Sequence, residues 1–161
     1  MNKDDLRELY RQYIACLNRQ DWPSLDQFVG DGVIRNGRQI GLPGYRQMLQ
    51  RDFEQIPDLR FSIELLISDP PYVASRLAFD CSPRGRFLDL DVNGKRVSFT
   101  ENVFYEFRNG KIVQVWSVID KAATLRRDLD DVEHGSERAA AVDADLARAA
   151  TDYLDAAGVL S

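Results

Sequence analysis

The spacing of apolar residues changes from helical to strand-like near residue 58. Before that point, apolar side chains recur at helical spacing in two stretches, 3–18 and 41–55, which predicts two amphipathic helices. After it, apolar and polar residues alternate, which predicts strands at residues 59–67, 73–81, 86–92, 96–107 and 111–120. Helices followed by hairpin-linked strands indicate an α+β fold, with the helices against one face of a curved antiparallel sheet.

Composition limits the chain to a few classes of protein. The 161 residues suit one domain, and the net charge of -5 gives no basic surface for nucleic acid or an anionic membrane. No apolar run approaches bilayer length and the first residues lack the apolar core of a signal peptide, so we expect a cytoplasmic protein. Cys16 and Cys81 lack metal-like spacing, which favours buried free thiols in a reducing compartment.

Most catalytic templates are missing from the sequence. It has no glycine-rich phosphate loop, no nucleophile elbow and no serine or cysteine close to a histidine, so we expect neither a cofactor nor covalent catalysis. His134 is the only histidine, so no zinc site is expected. Acid and base chemistry by carboxylates in an apolar cavity remains.

The last predicted strand, 111–120, ends in an ionisable residue. Alternation of side chains would place Ile112, Trp116, Val118 and Asp120 on one face of this strand. Asp120 would then point where apolar side chains point, which makes it the first candidate for an acid or base. Alternatively, Asp120 is a solvated strand end or the N-cap of a helix that begins at Lys121.

A second carboxylate interrupts the apolar face of the strand at 96–107. Glu101 stands where alternation would place another hydrophobic residue, between Phe99 and Val103. Such a carboxylate should be either paired or raised in pKa, because burial disfavours its charged form. Arg76 is one candidate partner; in the alternative interpretation, Arg76 and Asp80 occupy a solvent-facing side of their strand.

The tail of the chain differs from the rest. Residues 128–135 are predicted to be a polar linker, and Ser136 can cap a helix with an apolar stripe from Val142 to Leu154. We therefore divide the chain into a domain at 1–127 and a linker with a C-terminal amphipathic helix at 128–161. The sequence leaves open whether that helix packs on its own domain or on a neighbouring subunit.

The order of these elements resembles that of a known family. The segments Ile56-Pro57-Asp58-Leu59 and Gly110-Lys111-Ile112-Val113, the latter followed by Trp116 and Asp120, resemble the SnoaL-like polyketide cyclases of the NTF2-like superfamily over residues 6–120. The resemblance implies a cone-shaped α+β domain with a deep pocket, usually in a dimer or larger homo-oligomer. It also implies that Asp120 is the acid and base of an intramolecular aldol closure. Relatives often carry polar or histidine residues where this chain has Val103 and Val115.

Two functions are consistent with these observations. The first is a lyase, isomerase or cyclase that acts on a small apolar carbonyl compound, with Asp120, Glu101 and Arg76 as catalytic candidates. The second is a non-catalytic ligand-binding or assembly domain. Candidate wall residues, each of which could instead be plain core, are Tyr10, Tyr13, Trp22, Val103, Trp116 and Val118.

A homodimer or higher homo-oligomer is also expected. Both faces of the strand at 111–120 are apolar, and an outer face that carried Val113, Val115 and Ile119 would be a large exposed patch on a monomer. The stripe of the C-terminal helix is a second surface that a neighbouring subunit could cover.

Overall fold

The computed structural model describes residues 1–88 and 90–120. Its helices are α1 (Lys3–Asn18) and α2 (Gly41–Gln55), with a short 3-10 helix at Trp22–Gln27 between them. Its strands, in chain order, are β1 (Val29–Arg35), β2 (Arg38–Gln39), β3 (Ser62–Asp69), β4 (Tyr72–Cys81), β5 (Arg86–Phe87), β6 (Leu90–Asp91), β7 (Val97–Arg108) and β8 (Lys111–Asp120). The predicted α+β class is confirmed.

The main sheet has the strand order β2-β1-β8-β7-β4-β3. Strands β3, β4, β7 and β8 form the predicted antiparallel arrangement, whereas β1 joins β8 in parallel. The parallel pairing is possible because α2 and the following strands separate β1 from β8 along the chain. Strands β1 and β2 therefore extend the sheet beyond β8.

The strands predicted at 86–92 and 96–107, with Asn93-Gly94 between them, do not form the expected hairpin. Strand β4 pairs directly with β7, and the segment between them forms a separate two-stranded sheet of β5 and β6. Asn93 and Gly94 do adopt positive φ angles of 45° and 84°, as a tight turn requires. The turn is closed by backbone hydrogen bonds to Gly85 and Pro83 and does not connect two strands of the main sheet.

The helices pack on one face of the main sheet, which we call the inner face. Helix α1 begins at a capping box in which the Asn2 side chain accepts a hydrogen bond of 2.8 Å from the Asp5 backbone amide. Its buried stripe lies against β3 and β4, and α2 lies against β1. The core between these layers contains, among others, Leu6, Leu17, Leu25, Val33, Leu49, Leu77, Phe79, Phe99, Ile112 and Val115.

Two β-bulges change which residues face the core. Glu64 in β3 and Val113 in β8 are each left without a partner residue, because the pairing register shifts by one residue at these positions. Every later side chain in those strands is therefore on the opposite face from the one that simple alternation predicts. The shift in β3 exposes Leu65 and Ile67, although the sequence had placed both on a half-buried alternating face.

The bulge in β8 overturns part of the predicted site. Trp116 and Val118 are 39% and 53% exposed on the outer face, whereas Val115 and Ser117 are buried on the inner face. The predicted grouping of Trp116 and Val118 with buried Ile112 is therefore wrong. The prediction that Val115 belongs to an exposed outer patch is wrong for the same reason.

The predicted C-terminal helix and His134 lie outside the described residues, as does the boundary at residue 127. Neither helix in the described part of the chain is long and apolar enough to cross a membrane.

Candidate functional site

Glu101 lies on the inner face of β7. It follows Phe99 and precedes Val103, both buried, and in register it lies opposite Leu77 of β4 and Ile119 of β8. The prediction that a carboxylate interrupts the apolar face of this strand is therefore confirmed. Burial among these neighbours raises the pKa of Glu101 to about 7 from an ordinary 4.5. The carboxyl is half-buried, so it lies at the boundary between the core and solvent.

Arg35 approaches Glu101 from β1. It follows buried Val33 by two positions and lies opposite buried Val115 of β8, so it belongs to the inner face. Its guanidinium lowers the pKa of Glu101, an effect smaller than that of burial. The cation that neighbours Glu101 is therefore Arg35, which sequence reasoning had not singled out.

Asn36 fixes the end of β1 to β8. Its side chain accepts a hydrogen bond of 2.9 Å from the Ser117 backbone amide and donates one of 3.4 Å to the Ser117 carbonyl. Its own backbone amide donates to the Val115 carbonyl at 2.8 Å. These bonds hold the backbone next to Arg35 in a fixed position. The Ser117 hydroxyl, on the same face, lowers the pKa of Glu101.

Asp52 of α2 adds a second carboxyl group. It lies on the helix stripe that also carries Tyr45 and Leu49, because residues spaced by three, four and seven share one face of a helix. Burial raises the pKa of Asp52 to about 6, and Arg35 acts in the opposite direction. Asp52 in turn raises the pKa of Glu101, so the two carboxyl groups are electrostatically coupled.

Buried tyrosines lie beneath these charged groups. The Tyr13 and Tyr45 hydroxyl oxygens are 2.7 Å apart, and the Tyr10 hydroxyl donates to that of Tyr105 at 3.4 Å. The rings of Tyr10 and Tyr105 are in contact, with centroids 5.1 Å apart. Burial raises the pKa of Tyr45 to about 12, so this hydroxyl is neutral over the ordinary pH range.

The predicted wall residues are divided between the core and the surface. Tyr10, Tyr13 and Val103 are at most 1% exposed, so the structure places them within the core beneath the site. Trp22 is half-buried and packs edge-on against Phe53, with ring centroids 5.7 Å apart. The role of these residues in ligand binding stays a prediction.

The other two catalytic candidates belong to the outer face. Arg76 donates to the Asn102 side chain at 3.1 Å and lies 3.6 Å from Glu64. The predicted pairing of Arg76 with Glu101 is therefore wrong, because the two residues point to opposite faces of the sheet. The alternative interpretation, a solvent-facing side with Arg76 and Asp80, matches the structure, in which exposed Asp80 binds Arg96.

Asp120 is the last residue of β8 and lies opposite Thr100 of β7. Asp120 is an even number of residues from Trp116 and Val118, so by alternation it belongs to the same face of β8 as these two residues. Ser117 belongs to the opposite face. The catalytic role of Asp120 stays a prediction.

The convergence of Glu101, Asp52 and Arg35 is suited to proton transfer. A carboxyl whose pKa lies near 7 is populated in both protonation states at neutral pH, as a general acid or base requires. Within residues 1–88 and 90–120, no three histidine, cysteine, aspartate or glutamate residues are grouped as metal ligands would be. The side chains that define the site therefore suit acid and base work at the inner face of an α+β sheet.

Comparison with known proteins assigns the chain to a recognised family. The chain belongs to the SnoaL-like polyketide cyclase family, whose model matches residues 7–127. A SnoaL-like polyketide cyclase from Agrobacterium tumefaciens is similar over 80% of this chain and 99% of its own, at 51% identity and a TM-score of 0.75. TsrD from Streptomyces laurentii is similar in fold, at 20% identity and a TM-score of 0.68, over 78% of this chain and 96% of its own. No curated protein matches this chain. The predicted family and NTF2-like fold are confirmed.

Proposed function

We propose that this chain binds a small, largely apolar carbonyl compound beside Glu101 and transfers a proton on it, as an isomerase, lyase or cyclase does. The observation that supports this function is the half-buried Glu101 carboxyl with its pKa raised to about 7. In its ionised form the carboxylate can remove a proton next to a carbonyl group, and in its neutral form it can return one. The apolar side chains around it suit a substrate of low polarity.

The structure favours Glu101 over Asp120 for this role. Glu101 shares the inner face with Arg35 and lies near Asp52, whereas Asp120 occupies a register position of the opposite parity. A ligand held between the helices and the sheet would meet the Glu101 side of β7. The resemblance-based role of Asp120 is tested by the same experiment.

The experiment uses NMR in deuterated buffer to follow hydrogen–deuterium exchange at the two carbons next to the carbonyl group of 2-tetralone. The wild-type chain should accelerate the exchange, and Glu101→Gln should lose about a hundredfold or more of the acceleration. Asp120→Asn is the matched control, because it removes the same kind of group from the other register position. The reverse pattern would assign the role to Asp120. Binding of 2-tetralone without any acceleration would instead indicate a non-catalytic ligand-binding protein.

We also propose that a second copy of the chain covers the outer face of the sheet. The large apolar side chains exposed there are Leu65, Ile67, Tyr72, Phe104, Trp116 and Val118. They span β3, β4, β7 and β8, which are adjacent strands, and so form a continuous patch of the kind that marks an interface. This patch replaces the one predicted from Val113, Val115 and Ile119, and it supports a homodimer.

A further inference from the structure

Arg35 is a half-buried cation whose donors are unused within the described part of the chain. No described residue forms a hydrogen bond or ion pair with its guanidinium, although Glu101 and Asp52 influence it electrostatically. Arginines that leave full solvent are usually paired, because the guanidinium presents five donors and keeps its charge. The arginines of the outer face follow that rule, since Arg76 and Arg96 both bind carboxylates.

The carboxyl groups near Arg35 cancel its charge at neutral pH but not in mildly acidic solution. Burial raises the pKa of Glu101 to about 7 and that of Asp52 to about 6, so both carboxyl groups are mostly neutral at about pH 5. A neutral Glu101 beside a permanently charged arginine leaves a net attraction for an anionic oxygen.

The backbone at Arg35 is also fixed. It is the last residue of β1, and the two hydrogen bonds between Asn36 and the Ser117 backbone tie the end of that strand to β8. The buried tyrosine hydroxyls are bonded to one another, so they do not occupy the Arg35 donors. The fixed backbone limits where the guanidinium can reach, and the planar fork of its donors suits binding of an anionic oxygen.

We propose that Arg35 is a specificity-determining residue that binds an anionic oxygen of the ligand, either a carboxylate or an enolate, beside Glu101. This inference rests on the proposed function, because it places the ligand in the same site. It adds that the favoured ligand combines an apolar body with one negatively charged oxygen. Arg35 would contact that oxygen through charge-assisted hydrogen bonds, two of them where the group is a carboxylate.

The first arm of the test measures carboxylate recognition with the full-length chain. Calorimetry at about pH 5, where Glu101 and Asp52 are mostly neutral, compares 2-naphthoate with 2-acetonaphthone, which has a similar shape and no charge. The wild-type chain should bind 2-naphthoate about tenfold more tightly, the usual effect of hydrogen bonds to a charged group. Arg35→Gln should abolish the preference, Arg35→Lys should retain part of it, and Arg60→Gln, which removes an exposed arginine, should leave it unchanged.

The second arm measures recognition of an enolate-like oxygen. The ionised form of 4-nitrophenol absorbs visible light and the neutral form does not, so its ionisation on binding is read directly. At about pH 6, below the probe's own pKa, the wild-type chain should increase the ionised fraction of the probe, and Arg35→Gln should not. If the ionised fraction of 4-nitrophenol increases and 2-naphthoate is not preferred, the oxygen that Arg35 binds is that of an enolate. The reverse result indicates a carboxylate.

Three results would overturn the inference. The first is a wild-type chain that favours the charged compound in neither arm. The second is a preference for the charged compound that persists unchanged in Arg35→Gln. The third is a loss of that preference in Arg60→Gln as large as the loss in Arg35→Gln. Binding of 2-acetonaphthone without any charge preference refutes the role of Arg35 while the proposed apolar site stands. Failure of all three compounds to bind refutes both. Circular dichroism and thermal unfolding show whether each variant is folded. If Arg35→Gln does not fold, Arg35→Lys still tests the role of the guanidinium.

Discussion

Glu101 and Asp120 lie on neighbouring strands at register positions of opposite parity, since Glu101 is opposite Ile119 and Asp120 is opposite Thr100. Side chains on paired strands alternate together between the two faces of a sheet. The helices, the buried tyrosines and Arg35 all belong to the face of Glu101. The structure therefore gives Glu101 the neighbours of a buried acid or base.

The raised pKa of Glu101 predicts how stability depends on pH. The folded protein holds this proton more tightly than the unfolded chain does, so the Glu101 contribution to the free energy of unfolding is complete below pH 4.5 and falls as pH rises through 4.5 to about 7. Glu101→Gln removes that dependence. Relative to wild type, the variant should gain about 2 kcal/mol between roughly pH 4 and pH 8, a value reduced from the full linkage because the carboxyl is half-buried.

Urea unfolding at both pH values measures this difference. Glu54→Gln is the control, because it makes the same change at an exposed position of α2 and should leave the pH dependence of wild type unaltered. An identical pH dependence in Glu101→Gln and wild type would show that Glu101 does not hold its proton more tightly in the folded state.

The Tyr13–Tyr45 pair predicts a non-additive effect of mutation. Removal of one hydroxyl leaves the other buried without its partner, at a cost of about 1–3 kcal/mol for either Tyr13→Phe or Tyr45→Phe. The double variant has no unpaired hydroxyl at this pair, so it should be destabilised by less than the sum of the two single variants. Chemical unfolding of all four proteins measures the coupling. Additive losses would contradict a hydrogen bond between the two residues.

The sequence predicted the location of Glu101 but not the faces of β8. Phe99, Val103 and Tyr105 keep the alternating apolar pattern on both sides of Glu101, so the inward direction of residue 101 follows from its position alone. Strand β8 is apolar on both faces, so no hydrophobic pattern marks the bulge at Val113. The same ambiguity hid the bulge at Glu64.

Arg35 and Asp52 were missed for a different reason. Asp52 interrupts the helical stripe that contains Tyr45 and Leu49, a signal that is visible in the sequence in the same way as Glu101 in its strand. Arg35 carries a weaker signal, because its strand is short and its position beside β8 depends on a parallel pairing between distant segments. Local periodicity contains no information on that pairing.

Two variants of Asn36 should separate the effect of backbone strain on stability from the effect of lost hydrogen bonds. Its φ angle is 47°, which glycine adopts freely and alanine does not. Asn36→Gly loses only the bonds to Ser117, whereas Asn36→Ala loses them and also adds strain, so the alanine variant should be less stable by about 1 kcal/mol. Thermal and urea unfolding compare the two. Equal stability would show that the left-handed backbone at this position is not maintained in solution.

From the outer apolar face we predict that the chain self-associates and that one negative charge introduced on this face prevents the association. Phe104 is 57% exposed and lies between Ala74 and Trp116 in the register of the sheet, so its ring is central to the patch. In a homodimer through this face, Phe104→Glu would bury an unpaired carboxylate, which should weaken the dimer by about a hundredfold or more. Because the residue is exposed in one protomer, the fold itself should be little affected.

Sedimentation velocity over a range of micromolar concentrations measures the association. The wild-type chain should sediment as a dimer and Phe104→Glu as a monomer, with an unchanged circular dichroism spectrum. Gln47→Glu adds the same charge to an exposed position of α2 and should remain dimeric, which separates loss of the patch from a general effect of net charge. A monomeric wild-type chain would mean that a second copy does not cover the outer face, and a dimeric Phe104→Glu would place the interface elsewhere.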